Sequence, residues 1–341
     1  MTYDAILLVS FGGPEKPDDV MPFLENVLRG KNVPRTRMEA VAEHYHHFGG
    51  KSPINEQNRA LLTALWSELE RNGPQLPVYW GNRNWHPMLA DTVSRMKADG
   101  VRHALAFVTS AYSSYSSCRQ YLENIAAART AAGEGAPIID KIRAYYNHPL
   151  YIAATAENVQ AALKQIAPER RESAHLVFTA HSIPSSMAEN CKYCQQLLEA
   201  ARLVSTQLGR EPGPVVFQSR SCPPTQPWLA PDILDHLRLV AAQGQVRDVV
   251  IVPIGFVSDH MEVVYDLDTE ARALSAELGL NMVRAACVGT HPKFVSMIRE
   301  LIKERITPDS ERRSLGLMGA SHDVCPDGCC PLQLMPRPIS A

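Results

Sequence analysis

The sequence predicts an α/β protein built from two similar halves, each a parallel sheet flanked by helices. Short β-branched or apolar runs alternate with longer segments of helical period, the pattern of parallel strands joined by helical crossovers. The scheme runs through twice along the chain. A chain of 341 residues with 45% hydrophobic content is also long enough and apolar enough for two cored domains.

In the first half, residues 5–10, 78–80 and 103–109 read as buried strands, and residues 58–71, 88–99 and 119–132 as helices. In the second, strands are expected at 176–179, 215–218 and 248–253, with helices at 191–208, 232–243 and 261–278. No short repeat links the halves. The helix-like segment 150–166 reads as a hinge between a domain over 1–148 and one over 149–306. Beyond Ile306 the hydrophobic period stops, so 307–341 is expected to be a cysteine-containing tail that cannot build its own core.

Acidic and basic residues number 36 and 34, which leaves no positive field for a nucleic-acid backbone. No run approaches the roughly 20 apolar residues of a bilayer crossing, and Met1 to Asp4 carry no basic leader, so a cytosolic protein without a transmembrane segment is expected. Eight cysteines are too few for a disulfide scaffold at this length. Three of them crowd into Cys325, Cys329 and Cys330, which in a reducing compartment points to metal.

Open parallel sheets bind ligands beyond the carboxyl ends of their strands. Three such ends are chemically loaded: residues 110–121, 181–184 and 255–262. His181 stands where a strand leaves the core, as a loop hydrogen-bonder or as a ligand. Asp259, His260 and Glu262 follow a later strand, and Asp266 and Glu270 continue from Glu262 at steps of four, which places three carboxylates on one helical face. Such a column repels itself unless it is solvated or holds a cation. Imidazole with carboxylates suits a divalent first-row metal in transit.

Several strings, in this order and spacing, resemble the ferrochelatase family. They are Thr179-Ala180-His181-Ser182-Ile183-Pro184, Gln218-Ser219-Arg220-Ser221, Pro227-Trp228-Leu229 and Pro253-Ile254-Gly255-Phe256-Val257-Ser258-Asp259-His260-Met261-Glu262. Upstream, Ser10-Phe11-Gly12-Gly13-Pro14-Glu15, Phe48-Gly49-Gly50-Lys51-Ser52-Pro53-Ile54-Asn55 and Gly81-Asn82-Arg83-Asn84-Trp85 look like the actinobacterial branch, which uses coproporphyrin III. The resemblance covers residues 3–306. It implies two similar Rossmann-like, chelatase-type domains facing a porphyrin cleft with no nucleotide bound. The absence of a G-x-G-x-x-G string agrees with that implication.

By the same resemblance the chain is a lyase of haem biosynthesis that inserts Fe(2+) into coproporphyrin III. His181 takes a pyrrole proton or binds iron, Glu262 binds iron from the opposite side, and Asp266 and Glu270 pass it inward. Ser52, Tyr121 and Arg29 match propionate contacts. Phe11 stands where the branch often has a tyrosine that ligates the product iron, which leaves His181 as the axial ligand. The tail resembles a 2Fe-2S segment, with Cys325, Cys329 and Cys330 joined by a fourth thiolate from the body. Cys118 is the matching residue; the Cys191 and Cys194 pair, of zinc-like spacing, is its rival. Cys222 and Cys287 read as ordinary buried or strand-end residues, and Trp228, Trp85, Tyr112 and Met261 as possible linings of a flat ligand. A monomer served by an unidentified iron donor is expected. Protoporphyrin IX as substrate, another metal or tetrapyrrole, and a non-catalytic haem carrier remain open. A carrier needs no carboxylate opposed to its axial ligand.

Overall fold

The computed structural model describes residues 2–30, 33–220 and 226–332. Ser221 and Cys222 of the sequence motifs lie outside them. The elements in chain order are β1 (Ala5–Ser10), α1 (Val20–Val27), α2 (Arg35–His47), α3 (Ile54–Asn72), β2 (Val78–Asn82), α4 (Leu89–Ala98), β3 (His103–Val108), α5 (Gln120–Ala132), β4 (Ile138–Lys141) and α6 (Pro149–Leu163). They continue with β5 (His175–His181), α7 (Ser185–Glu189), α8 (Tyr193–Gln207), β6 (Val215–Gln218), α9 (Ile233–Gln243), β7 (Asp248–Val252), α10 (Met261–Tyr265), α11 (Arg272–Glu277), β8 (Asn281–Arg284) and α12 (Pro292–Ile306).

Two four-stranded parallel sheets result, ordered β2-β1-β3-β4 and β6-β5-β7-β8. The second, first, third and fourth strands of each half therefore take the same places, so the expected repetition is one of topology. β1 and β7 are buried along their whole length, as strands covered on both faces must be. Each fully buried Val, Leu or Ile side chain there contributes ~1.5–3 kcal/mol.

The segment expected to act as a hinge is instead a packed strut. α6 buries Tyr151, Ile152, Ala154, Ala156 and Val159 and packs against α8, α12, β7 and β8. One apolar cluster runs through it, from Ile6, Leu8 and Phe107 of the first sheet to Phe178, Val250 and Val252 of the second. α12 closes this core by packing on both α3 and α6.

The strand-end loops of the two sheets meet above that core. Tyr112 Oη and Tyr151 Oη donate to the Ile254 carbonyl at 3.0 and 2.9 Å. The Ser113 amide donates to Gln196 Oε1 at 2.7 Å, and the Asp259 amide to Gln57 Oε1 at 2.8 Å. Gly255 lets the loop after β7 approach β5: a Cβ there would stand 2.6 Å from Ala180 Cβ. These contacts bring the end of β5 and the start of α10 together.

Candidate functional site

His181 is the last residue of β5 and pairs in register with Gln218, the last of β6. Gln218 Nε2 donates to the Glu262 carbonyl at 2.7 Å, so one ladder position fixes both the imidazole and the first turn of α10. The phenol of Tyr193 holds the His181 carbonyl at 3.0 Å. His260 caps α10, its Nδ1 accepting from the Glu262 amide at 3.2 Å. Below this turn Arg284, ending β8, grips Asp259 at 3.0 Å and Asp268 at 2.8 Å. Asp259, a candidate by sequence, is thus neutralised as part of the frame.

The side chains so placed meet. His181 Nε2 lies 3.4 Å from Glu262 Oε1, and His260 Nδ1 lies 3.8 Å from Glu262 Oε2. His181 Nδ1 bonds the Ser182 carbonyl, which can only accept, so Nδ1 carries the proton and Nε2 is the working nitrogen. Burial opposes the imidazolium, but the Glu262 carboxylate outweighs it and raises His181 to about 9. Burial likewise opposes the Glu262 charge, and His181 outweighs it, lowering Glu262 to about 2. His260 is held below its ordinary value by burial, against the pull of Glu262.

Asp266 follows one turn out. Burial pushes it up to about 7, with Glu262 and Glu270 adding to the shift and a hydrogen bond from Ser219 Oγ opposing it. Glu270 is exposed and also raised, by burial and the charge of Asp232. The helix expected over 261–278 contains a π turn, Asp266–Ala271. Its wider i→i+5 winding keeps residues four apart closer to eclipsed than an α-helix does, so the carboxylates remain in a column. They do not form one ligand sphere. Among the described residues, the only group of three or more His, Cys, Asp or Glu donors lying within 4.8 Å of one another is His322, Cys325 and Cys329.

The three sequence-derived propionate contacts are scattered. Arg29 is exposed, Ser52 is buried beneath Gly13, and Tyr121 is buried beside Ile125. Arg83, quoted within a motif but given no role, links Tyr121 to Phe11: its guanidinium lies 4.4 Å from the Tyr121 ring centroid and 5.6 Å from that of Phe11. Phe11 and Trp85 pack with Phe23 and Tyr45. Tyr45 was not singled out from sequence; burial raises its phenol, with the Glu262 and Asp266 charges adding to the shift. Tyr112 and Met261 belong to the core, and Trp228 is half-buried, bridging to Pro184.

The tail cysteines approach both halves: Cys325 meets Cys118 of the first, and Cys329 and Cys330 come within electrostatic reach of Cys191 of the second. Cys118 sits in a π turn before α5, buried, and is held below the ordinary thiol range by a hydrogen bond from Cys325 and by Lys141, against burial. Cys329 Sγ lies 3.8 Å from Cys330 Sγ and 3.8 Å from His322 Nε2. Cys191 feels the charges of Cys194 and Cys329; its thiol bonds the Ala188 carbonyl at 3.6 Å. Cys287 is half-buried beside Asp259 and Arg284. Lys141 has no spacing signal, whereas His322, three residues before Cys325, has one that could have found it.

The tail, which has no core of its own, is held by hydrogen bonds from the folded body. Arg143 Nη2 donates to the Arg313 carbonyl at 2.8 Å, and Asn147 Nδ2 to those of Leu315 and Gly319 at 3.1 and 2.8 Å. Gly316, at φ 76°, passes against the Glu199 carboxylate where a Cβ would collide.

Two parallel α/β sheets whose strand-end loops meet over an imidazole, a carboxylate and a trailing acid column give the architecture of the chain. A family model for ferrochelatases matches residues 3–306. The chain is 57% identical to a ferrochelatase of Rhodopirellula baltica, covering 96% of this chain and 93% of that one. It is 50% identical to a coproporphyrin III ferrochelatase of Streptomyces griseus, over 99% and 96% of the two chains. Among solved structures, SirB from Bacillus subtilis with Fe3+ shares the fold at a TM-score of 0.53 and 14% identity, over 91% of this chain and 100% of that one. The chain belongs to the ferrochelatase family. It is a porphyrin metal chelatase, and no helix among its described residues is long and apolar enough to cross a membrane.

Proposed function

We propose that this chain is a lyase that inserts ferrous iron into coproporphyrin III to give iron coproporphyrin III for haem synthesis, working in the cytoplasm as a monomer. The observation that carries the reading is the His181–Glu262 pair. With Nδ1 committed to Ser182, neutral His181 would point its Nε2 lone pair at a carboxylate 3.4 Å away, so a proton or a cation belongs between them. Insertion exchanges the two: a divalent ion binds, and two pyrrole N–H protons leave the macrocycle.

In this reading Glu262 binds the incoming iron and weakens its own hold on the His181 proton. That proton passes to solvent; His181, once neutral, takes the pyrrole protons in turn and releases each to solvent, or ligates iron through Nε2. Asp266 and Glu270 relay iron inward; carboxyls raised toward neutral pH bind and release a cation without trapping it. Gln218 and Arg284 keep Glu262 and its turn in place. Arg83 supplies a fixed cation beside Tyr121 for a propionate, and Arg29 and Ser52 are further contacts.

The preference for coproporphyrin III rests on the similarity to the Streptomyces griseus protein over nearly both chains. Purified protein should metallate coproporphyrin III faster than protoporphyrin IX when each is given with ferrous iron and followed by visible absorption. The reverse order overturns the substrate and keeps the enzyme class.

The thiol group fits a 2Fe-2S cluster. Cys118, Cys325, Cys329 and Cys330 are the four thiolates such a centre uses, and Lys141 offsets their charge. Bound there, the cluster would supply a one-electron centre and a covalent staple between tail and body.

A further inference from the structure

A second group of metal-philic side chains lies outside the insertion site, on the last turns of α2. His47 lies four residues from Glu43 and three from His44, so it is a helix-surface neighbour of both, and His46 stands beside them. With Tyr265 and Thr269 they line a cleft of about 500 Å3. Tyr265 immediately precedes Asp266 and Thr269 immediately precedes Glu270, so the cleft shares a wall with the outer end of the acid column. The shared wall is fastened by a ring stack, His44 on Tyr265, with centroids 3.7 Å apart and an interplanar angle of 7°. The next residue, Tyr45, is within electrostatic reach of Glu262 and Asp266, so α2 passes beside the inner part of the column.

We propose that this cleft collects hydrated ferrous iron and hands it to Glu270 and Asp266. The inference rests on the iron-insertion reading and extends it to the place where the ion arrives. Imidazole and carboxylate suit Fe(2+). Burial, with the nearby Arg37 charge, holds His44 below its ordinary value and so keeps the imidazole neutral and able to ligate. Glu43 is exposed and adds negative charge at the mouth, which raises the local cation concentration. The donors do not converge to first-sphere distances, and that suits a transfer point. An ion must be held strongly enough to arrive and weakly enough to leave.

The test uses the full chain without oxygen, at saturating coproporphyrin III and varied ferrous iron. Glu43→Gln with His47→Ala alters exposed positions and should raise the KM for iron roughly tenfold, with kcat and the porphyrin KM unchanged, the signature of lost uniform binding. A second measurement needs no turnover: in porphyrin-free protein, substoichiometric Co(2+) should broaden the imidazole NMR signals of His44 and His47, less so in the double variant. An unchanged KM for iron overturns the proposal. So does Co(2+) broadening that reaches His181 but leaves His44 and His47 sharp. Broadening at His44 and His47 in a wild type that inserts no iron keeps the cleft and removes the chelatase reading instead.

Discussion

The strand-end site and the tail site both gather metal-binding side chains, but they are held in opposite ways. His181 ends a strand buried over most of its length, and Glu262 opens a turn secured by Gln218, His260 and Arg284. The donors stand ready because apolar packing and backbone pairing fix their neighbours. Cys325, Cys329 and Cys330 lie on a segment with no helix or strand, where the Asn147 anchors end at Gly319 and the contact of Cys325 with Cys118 follows beyond them. A preformed site can lose a ligand and keep its shape; a site that completes a chain's folding cannot.

The largest effect expected is at His181. His181→Ala should slow insertion ~10²–10⁴-fold, the usual loss on removing a general base. Far-UV circular dichroism and the unfolding midpoint should hardly move. A folded variant with near-native turnover breaks the assignment.

Glu262→Gln should keep porphyrin affinity and lose metallation, separating binding from turnover. It should also return the His181 titration, read by NMR, from about 9 toward the ordinary 6.5. The sign follows from the pair. His181 holds its proton more tightly folded than unfolded, so its stabilisation is full below about 6.5 and lost as pH rises through about 9. Glu262 is depressed, so its share is full above about 4.5 and lost as pH falls through about 2. The wild type should therefore show its pair contribution in full between those limits, at about pH 4.5–6.5, and the variant should lose that window. Porphyrin affinity falling in step with turnover would make Glu262 a substrate contact.

The tail should respond in the other way. Anaerobically purified protein should be reddish, and Cys118→Ser or Cys325→Ser should bleach it and lower the unfolding midpoint. Limited proteolysis should then cut after residue 319, because the Asn147 anchors remain. Asn147→Ala leaves two carbonyls without that donor and should cost ~1–3 kcal/mol while the colour persists. Colour surviving Cys118→Ser but not Cys191→Ser moves the fourth ligand. Stoichiometric zinc in colourless protein replaces the cluster with a structural site, to which His322 is the natural fourth donor.

What was readable in the sequence divides along the same line. Strands such as residues 215–218 and the loaded ends at His181 and Glu262 were legible because buried parallel strands are short apolar runs and their ends are marked by polar clusters. β4 and β8 escaped notice: Ile138–Lys141 and Asn281–Arg284 are four-residue edge strands with a charged end, too short for a periodic signal. α2 escaped because its face toward the column is polar and aromatic, and Tyr45 and the histidine cleft went with it. Segment 150–166 was legible as a helix and was read as a hinge because it lies between the repeats, whereas its alanines and Tyr151 are packed on several sides. The tail's anchors lie on Arg143 and Asn147, far away in sequence and without any local pattern.

The smallest effect should fall on Asp266, where stability and function are expected to part. Its folded carboxyl is raised to about 7, so between about 3.8 and about 7 the folded state binds a proton that the unfolded state has released. Stability therefore declines as pH rises through that interval and stays reduced above it. Asp266→Asn removes the titration while leaving an amide able to meet Ser219 and Gln218. At pH 8 it should stabilise the protein, by on the order of 1 kcal/mol after allowance for solvent screening. Iron transfer should slow at limiting iron and recover at high iron, because the column would lose its middle carboxylate while His181 and Glu262 remain. Denaturant midpoints at pH 5 and pH 8, with insertion rates at two iron concentrations, read both effects. A variant less stable at pH 8 would mean that Asp266 is part of the frame, as Asp259 is, and not a station on the way to Glu262.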